Sequence, residues 1–554
     1  MLKVKNLAHE KSSAMYLSII ITWILCLIWF GPKLSYIFQN LDTVLEKTLM
    51  IIFTTCLNVF WFYGFYHIYI LVFGYISGGL NILDSNSKNT YPKIAILHTT
   101  CNDFSYKRAL TCIKQDYPNY HVFLLDDSTE EKIIRKVDSF HREFPDSTTV
   151  VRRKNRDGFK AGAINNALAN YAQGYEYFAV SDSDGSLPPD FLTKMVKYFD
   201  GRIGFVQSNH RYNPDQKGKF IEDLGVTIDV LWRHHLSVRN KYGFVMCLGH
   251  GVLIRRDVWE EVGGFPQIVS EDLAITIRML EHGYRGYFAK EVVCGADFPE
   301  DFVTFRKRCV RWIKADCECL LREFFSFRFL RAKGVSWVEK LDALVREGRL
   351  PMTPLFLLFC LITSLFPLLS GETRLLTILG HSWHVPILGS EFNSILSWDF
   401  AGLTLLIAFS PWYCFMIDLK HPLRVFRLIC HSMMAYCSLI LLSAINVFIF
   451  MLTRRAYFAV TGESERKRSV KDLSGPLEIM VGIFFSYISL ITLNFTLMGI
   501  ASTLVLAPFI NKFGWENRPL SILIYLPPLL VFFGLVVSTF TASLTLSGLP
   551  IILF

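Results

Sequence analysis

Asp182 and Asp184 stand two residues apart in Tyr177–Asp190, YFAVSDSDGSLPPD, directly after the apolar run Tyr177–Val180. In an extended segment residues i and i+2 point the same way, so two such carboxylates repel unless a cation or a proton joins them. At the carboxyl end of a parallel strand they face the crevice where α/β sheets bind ligands. A hard divalent cation bridging them to a diphosphate is the chemistry this spacing suits. The plainer alternative is a solvated acidic turn, since Asp-Ser-Asp-Gly is good turn sequence.

Other groups point the same way. The run Val122–Leu125 ends in Asp126-Asp127, and Ser270-Glu271-Asp272 precedes a predicted helix, Leu273–His282. Glu271 and Asp272 are the candidate catalytic carboxylates; Asp272 reads either as a helix cap or as a general base. Lys160 opens a predicted helix after Asn155-Arg156-Asp157-Gly158-Phe159. A lysine and helix amides there suit an anionic ligand, although a solvated lysine fits equally well. Three acidic strand or loop ends and one basic helix start describe a nucleotide-diphosphate site better than four unrelated surfaces.

The elements that must position these groups alternate. Ile94–His98 and Val122–Leu125 read as buried parallel strands, and Ala161–Tyr171 and Phe191–Phe199 as helices. Alternation of this kind predicts a βαβ sheet domain between Pro92 and about residue 330. The rest is far more apolar. Of 554 residues, 52% are hydrophobic, and the mean hydropathy is +0.33, which excludes an ordinary soluble protein. The net charge of +9 is what cytoplasmic loops of a membrane protein supply, so no nucleic-acid partner is expected. The 13 cysteines are scattered without metal spacing, Cys317-Glu318-Cys319 being the nearest approach, and read as reduced packing residues.

Apolar runs at about 15–31, 48–78, 351–370, 401–417, 477–509 and 519–546 predict six membrane spans, the first a retained span and not a cleaved signal peptide. Lys3, Lys5 and Lys11 place the N-terminus inside, and with it the 92–330 domain. The run 430–451 conflicts with its flanks: if it spans, Arg454, Arg455, Arg466, Lys467, Arg468 and Lys471 lie outside. The charges favour an interface helix, with a seventh span as the alternative. Both termini are then cytoplasmic, in an integral protein of the inner or plasma membrane.

The ordered set LDDS, KAGAIN, SDSDG, SED and RCVRW resembles the membrane-integrated family 2 glycosyltransferases, in particular the cellulose-synthase-like processive β-glycan synthases. Phe205-Val206-Gln207 with Asn213-Pro214-Asp215 is similar to that family's VQ…NPD; Gly263-Gly264-Phe265 and Phe458-Ala459-Val460-Thr461 are similar to its GGF and FxVT segments. The resemblance covers roughly residues 90–475. It implies an α/β GT-A (Rossmann-like) cytoplasmic catalytic domain at 91–330, two N-terminal spans within 1–90, and a helical membrane bundle at 331–554. An interface helix and a gating loop (Phe458, Val460, Thr461) would fall within 418–475. It further implies that Asp126, Asp127, Lys160, Asp182, Arg308 and Arg311 bind the nucleotide sugar, and that Asp182 and Asp184 hold Mg²⁺ or Mn²⁺. Asp272 is then the base, with Trp312, His250 and Gln207 at the acceptor. Two positions depart from the pattern: Arg308 stands where the family's QxxRW has glutamine, and His250 where a serine is usual. The expected activity is processive, inverting polymerisation of a UDP-sugar, UDP-glucose by resemblance, onto a growing glycan exported through the bilayer. Single-sugar transfer to a lipid or glycolipid is the alternative. A transporter with a soluble domain has little support, since its spans lack intramembrane charges.

Overall fold

The computed structural model describes residues 11–76, 91–378, 381–395, 397–454, 456 and 474–545. The expected gating residues Phe458, Val460 and Thr461 lie outside the described residues.

Eight strands form one mixed sheet: β1 (Ile94–Thr100), β2 (Tyr120–Asp126), β3 (Thr148–Val151), β4 (Tyr177–Asp182), β5 (Gly185–Ser186), β6 (Ile203–Tyr212), β7 (Val252–Arg255) and β8 (Arg285–Ala296). Their order is β3-β2-β1-β4-β7-β6-β8-β5. The first four in that order are parallel; β7 runs antiparallel to both β4 and β6. This is the expected α/β class with a GT-A-like mixed sheet. β1 and β4 are buried on both faces, as strands with helices on both sides must be. One layer packs Ile164, Ala167 and Leu168 on the sheet; the opposite layer packs Val137, Phe140, Phe191 and Leu192.

Register does the positioning. Thr100 lies opposite Asp126, and Thr99 lies opposite Asp182. The carboxyl ends of β1, β2 and β4 therefore finish level, and their polar tips share one edge.

The helices up to residue 369 include α1 (Ala14–Asn40), α2 (Val44–Ile76), α3 (Phe159–Asn170), α4 (Val226–Tyr242), α5 (Glu271–Glu281), α6 (Phe302–Cys319), α7 (Trp337–Gly348) and α8 (Thr353–Leu369), of which α3 to α7 contribute to the cavity at this edge. After them come α9 (Pro422–Cys437), α10 (Ile440–Thr453), α11 (Ser474–Ile491) and α12 (Phe495–Phe513). A buried carboxylate ties the membrane helices to the domain. Asp342 of α7 accepts from Arg239 Nε (2.7 Å), Tyr16 Oη (2.6 Å) and the Phe244 amide (2.8 Å). Such a charge persists in the interior because each lone pair finds a donor.

Among the described residues, six helical stretches are long and apolar enough to cross a membrane: Ala14–Asn40, Val44–Ile76, Trp398–Leu419, Pro422–Thr453, Phe495–Phe513 and Arg518–Val537. Two expectations change. The stretch expected as one span at 477–509 is a pair of helices, α11 and α12. Leu493 takes a left-handed φ of 50° between them, and the Asn494 side chain caps α12. α12 is one of the six stretches able to cross, and α11 is a shorter apolar helix. The stretch expected to lie along the interface, within Pro422–Thr453, is by length and composition able to span. Within Ile313–Phe325, Cys319, Leu320 and Phe324 are buried in the core with Phe329.

Candidate active site

Asp182 ends β4, and its Oδ1 accepts from Thr99 Oγ1 at 2.9 Å, the neighbour that register supplies. Lys160, the second residue of α3, places Nζ 2.6 Å from Asp182 Oδ1 and 3.6 Å from Glu271 Oε1, and donates to the Gly249 carbonyl at 2.8 Å. The lysine expected to wait for an anion therefore sits inside the acid cluster. Burial works against its ammonium, yet Asp182 and Glu271 outweigh burial and its pKa rises. Burial acts to raise the Asp182 carboxyl, but Lys160 overcomes it and holds the group below the usual carboxylate range. Asp184 goes the other way: burial and then the Asp182 charge push it up.

Glu271 and Asp272 open α5. Burial, reinforced by Asp272 and opposed by Lys160, pushes Glu271 up to about 7. Burial also raises Asp272. Ser270 occupies the cap position, so Asp272 is not the cap; its Oδ1 accepts the Leu273 amide at 2.8 Å. Its Oδ2 faces Gly249, where an added Cβ would sit 3.0 Å from it and 3.3 Å from Lys160 Nζ. Gly249 also has φ +76°, so glycine is required twice over.

Two of the expected ligand contacts, Asp126 and Gln207, do not line the cavity, while Asp127 and His250 do. Asp126 is buried and accepts from Arg152 Nε (2.8 Å) and the Ser128 amide (3.0 Å), so it shapes the loop after β2 and does not line the cavity. Asp127 does line it, clamped by Arg153 at 2.6 Å. Gln207 is fully buried: Oε1 accepts the Leu248 amide (2.8 Å) and Nε2 donates to the His250 carbonyl (2.9 Å), bracing the Leu248–Gly251 turn and not reaching an acceptor. His250 is 4% exposed, with Nδ1 facing the Asp182 amide at 3.2 Å and Nε2 facing the Gly295 carbonyl at 3.0 Å. That pattern sets a neutral ring with the proton on Nε2, and burial lowers its pKa accordingly. His250 holds the backbone of Asp182 in place.

Arg308, Arg311 and Trp312 of α6 line the same cavity of about 410 Å³ as Asp127, Lys160, Asp182, Asp184, Glu271 and Asp272. Arg308 Nη1 donates to the Asp297 carbonyl at 3.0 Å, and its charge works against the rise of Asp184. A more open depression of about 650 Å³ beside Phe104 and Arg135 gathers no comparable set. Asp103 was missed from the sequence. It lines the cavity, accepts the Cys101 amide at 2.7 Å, and is raised by burial to about 6. Its signal was the polar cluster Thr100-Cys101-Asn102-Asp103 ending β1.

No group of three or more His, Cys, Asp or Glu residues suited to a metal occurs among the described residues. Asp182 and Asp184 nevertheless fit a divalent cation as two hard oxygen donors. The charge of one raises the other, a repulsion that a shared cation relieves, and a diphosphate and water complete an oxygen shell.

Residues 107–315 match the model of the glycosyltransferase-like family 2. Over that stretch the chain is similar to family 2 glycosyltransferases. It is 25% identical over 296 residues to the β-monoglucosyldiacylglycerol synthase of Synechocystis sp., covering 50% of this chain and 60% of that relative's length. The mannosyltransferase PcManGT from Pyrobaculum calidifontis, solved with GDP-Man and Mn²⁺, shares 16% identity over 74% of this chain and all of its own, with a TM-score of 0.45. The S. aureus TarS 1–349 structure with UDP-GlcNAc shares 13% identity over 58% of this chain and 87% of its own, with a TM-score of 0.29.

Proposed function

We propose that the protein transfers a single sugar from a nucleotide-diphosphate sugar to a lipid-anchored acceptor at the membrane face. The observation that carries this reading is the extent of the cavity. It begins at the strand-end carboxylates and reaches Leu350, just before α8, and Tyr436 of α9. An acceptor anchored in the membrane thus has a route to Asp272. The glycolipid synthase among the relatives supports the same choice over polymerisation, the reading first expected, and so does Arg308 in place of the glutamine of the processive pattern.

In the proposed reaction the donor diphosphate lies against Asp182 and Asp184. A divalent cation bound there supplies positive charge to the diphosphate oxygens. Asp272, raised by burial, takes the proton of the acceptor hydroxyl, whose oxygen attacks the anomeric carbon as the bond to the diphosphate breaks. Arg308 and Arg311 face the leaving group and offset its charge. In-line attack inverts the centre, so an α-linked donor yields a β-linkage.

The test is a donor panel (UDP-glucose, UDP-N-acetylglucosamine, UDP-galactose, GDP-mannose) on the purified chain in lipid vesicles with Mg²⁺ or Mn²⁺. A labelled, lipid-extractable product of one added sugar is expected. Asp272→Asn should cut transfer by about 10²–10⁴-fold while nucleotide binding persists. A high-mass polymer would overturn the reading in favour of the processive one. Loss of nucleotide binding in Asp272→Asn would remove the base assignment.

A further inference from the structure

The membrane-facing end of the cavity holds polar groups that the proposed chemistry leaves unused. Asp316 of α6 lines the cavity and is 6% exposed, and Glu347 of α7, 0% exposed, lies behind the wall; Asp316 Oδ2 and both Glu347 carboxylate oxygens have no hydrogen-bond partner among the described residues. Arg346 and Arg349 face the same space. Neither makes a hydrogen bond or an ion pair within 4.0 Å among the described residues. Arg346 instead lies 5.5 Å from the ring centroid of Trp232. Two guanidinium groups and the Asp316 carboxyl thus line one cavity without pairing. That arrangement costs stability unless a ligand bonds to them.

The composition of the cluster selects the ligand. Guanidinium only donates, and an ionised carboxylate only accepts. An anion meets the Asp316 carboxyl here, with Glu347 behind it, and a cation meets two arginines. Hydroxyl groups donate and accept at once, so adjacent hydroxyls satisfy both kinds of side chain. Trp232, Trp312 and Tyr436 line the same end and offer flat faces for a ring.

We propose that Asp316, Arg346 and Arg349, with Glu347 behind them, form a subsite for the hydroxyl-rich sugar headgroup of the acceptor, so that the transferred sugar is added to a lipid already carrying one. This rests on the lipid-acceptor reading above and adds that bare diacylglycerol is a poor acceptor.

The full chain in vesicles is offered monoglycosyl-diacylglycerol, diacylglycerol or phosphatidic acid with the donor it consumes. Expected is a preference for the glycosylated lipid of about tenfold or more in kcat/KM. Asp316→Leu and Arg349→Met should abolish most of that preference by raising acceptor KM, with donor KM unmoved and nucleotide binding as the fold control. Asp316→Asn, which keeps hydrogen-bonding atoms in place, should retain most of it. Equal use of diacylglycerol, a preference for phosphatidic acid, or unchanged acceptor KM in both variants overturns the subsite alone. Absence of Asp182-dependent donor consumption overturns the transferase reading and the subsite with it.

Discussion

Replacing Lys160 by methionine keeps the length of the side chain and removes its charge. Asp182 Oδ1 then loses a partner at 2.6 Å and Glu271 one at 3.6 Å, while Asp272 stays beside both. Removing one member of a buried pair costs about 3–5 kcal/mol. The Lys160 and Asp182 side chains are 15% and 30% exposed, so solvent screening places this site at the low end, about 3 kcal/mol. For a domain of this size that corresponds to a fall in Tm of roughly 6–12 °C. The assay is thermal unfolding of the full chain in detergent, followed by tryptophan fluorescence with and without Mn²⁺. The freed carboxylates should attract the cation, so Mn²⁺ should raise the Tm of Lys160→Met more than that of the wild type. A variant melting within about 2 °C of wild type, with the same Mn²⁺ response, would refute the reasoning. Asp182 and Glu271 would then be relieved by protonation or water, and Lys160 would carry no charge-balancing role.

The remaining predictions concern the metal and the pH profile. Chelation by EDTA should stop sugar transfer, added Mg²⁺ or Mn²⁺ should restore it, and Asp184→Asn should raise the metal concentration needed; full activity after exhaustive chelation would remove the Asp182/Asp184 assignment. Burial, reinforced by Asp272 and opposed chiefly by Arg346, raises Glu347 from 4.5 to about 7. A carboxyl raised in the fold binds its proton more tightly folded than unfolded. Its contribution is therefore full below pH 4.5 and is lost as pH rises through about 7. The Tm of the wild type should fall relative to that of Glu347→Gln across this window, and parallel curves would contradict the burial of that group.

Much of the donor end was legible because strands announce themselves. Val122–Leu125 and Tyr177–Val180 are unbroken apolar runs with carboxylates at their ends, and parallel strands bring such ends level. What the sequence did not reveal was which carboxylate of a pair turns outward. Asp126 and Asp127 are adjacent, so they point to opposite sides. Only the positions of Arg152 and Arg153 decide that Asp127 meets the cavity. Gln207 and His250 were expected at the acceptor because of the motif they belong to, yet both spend their polar atoms on neighbouring backbone. The division of 477–509 into α11 and α12 was hidden because Thr492 and Asn494 interrupt the apolar run without a proline or a charge. Arg346, Glu347 and Arg349 were invisible for a different reason: they approach Asp316 only through the packing of α7 on α6.

The helix α6 links the two ends of the cavity. Phe305, Arg308, Trp312 and Asp316 recur at three- and four-residue spacing and all line it, so they form one face of the helix. Eight residues separate Arg308 from Asp316, about 12 Å along the axis. Arg308 lies toward Asp184, where its charge opposes the rise of that carboxyl; Asp316 lines the same cavity with Arg346 and Arg349. In the proposed reaction Arg308 therefore faces the departing diphosphate and not the acceptor, and Arg308→Gln should alter kcat far more than the choice of lipid. Acceptor choice belongs to the opposite end of the same face, where Asp316 meets α7. On this arrangement donor chemistry and acceptor selection sit on one rigid helix, two turns apart, and can be changed independently.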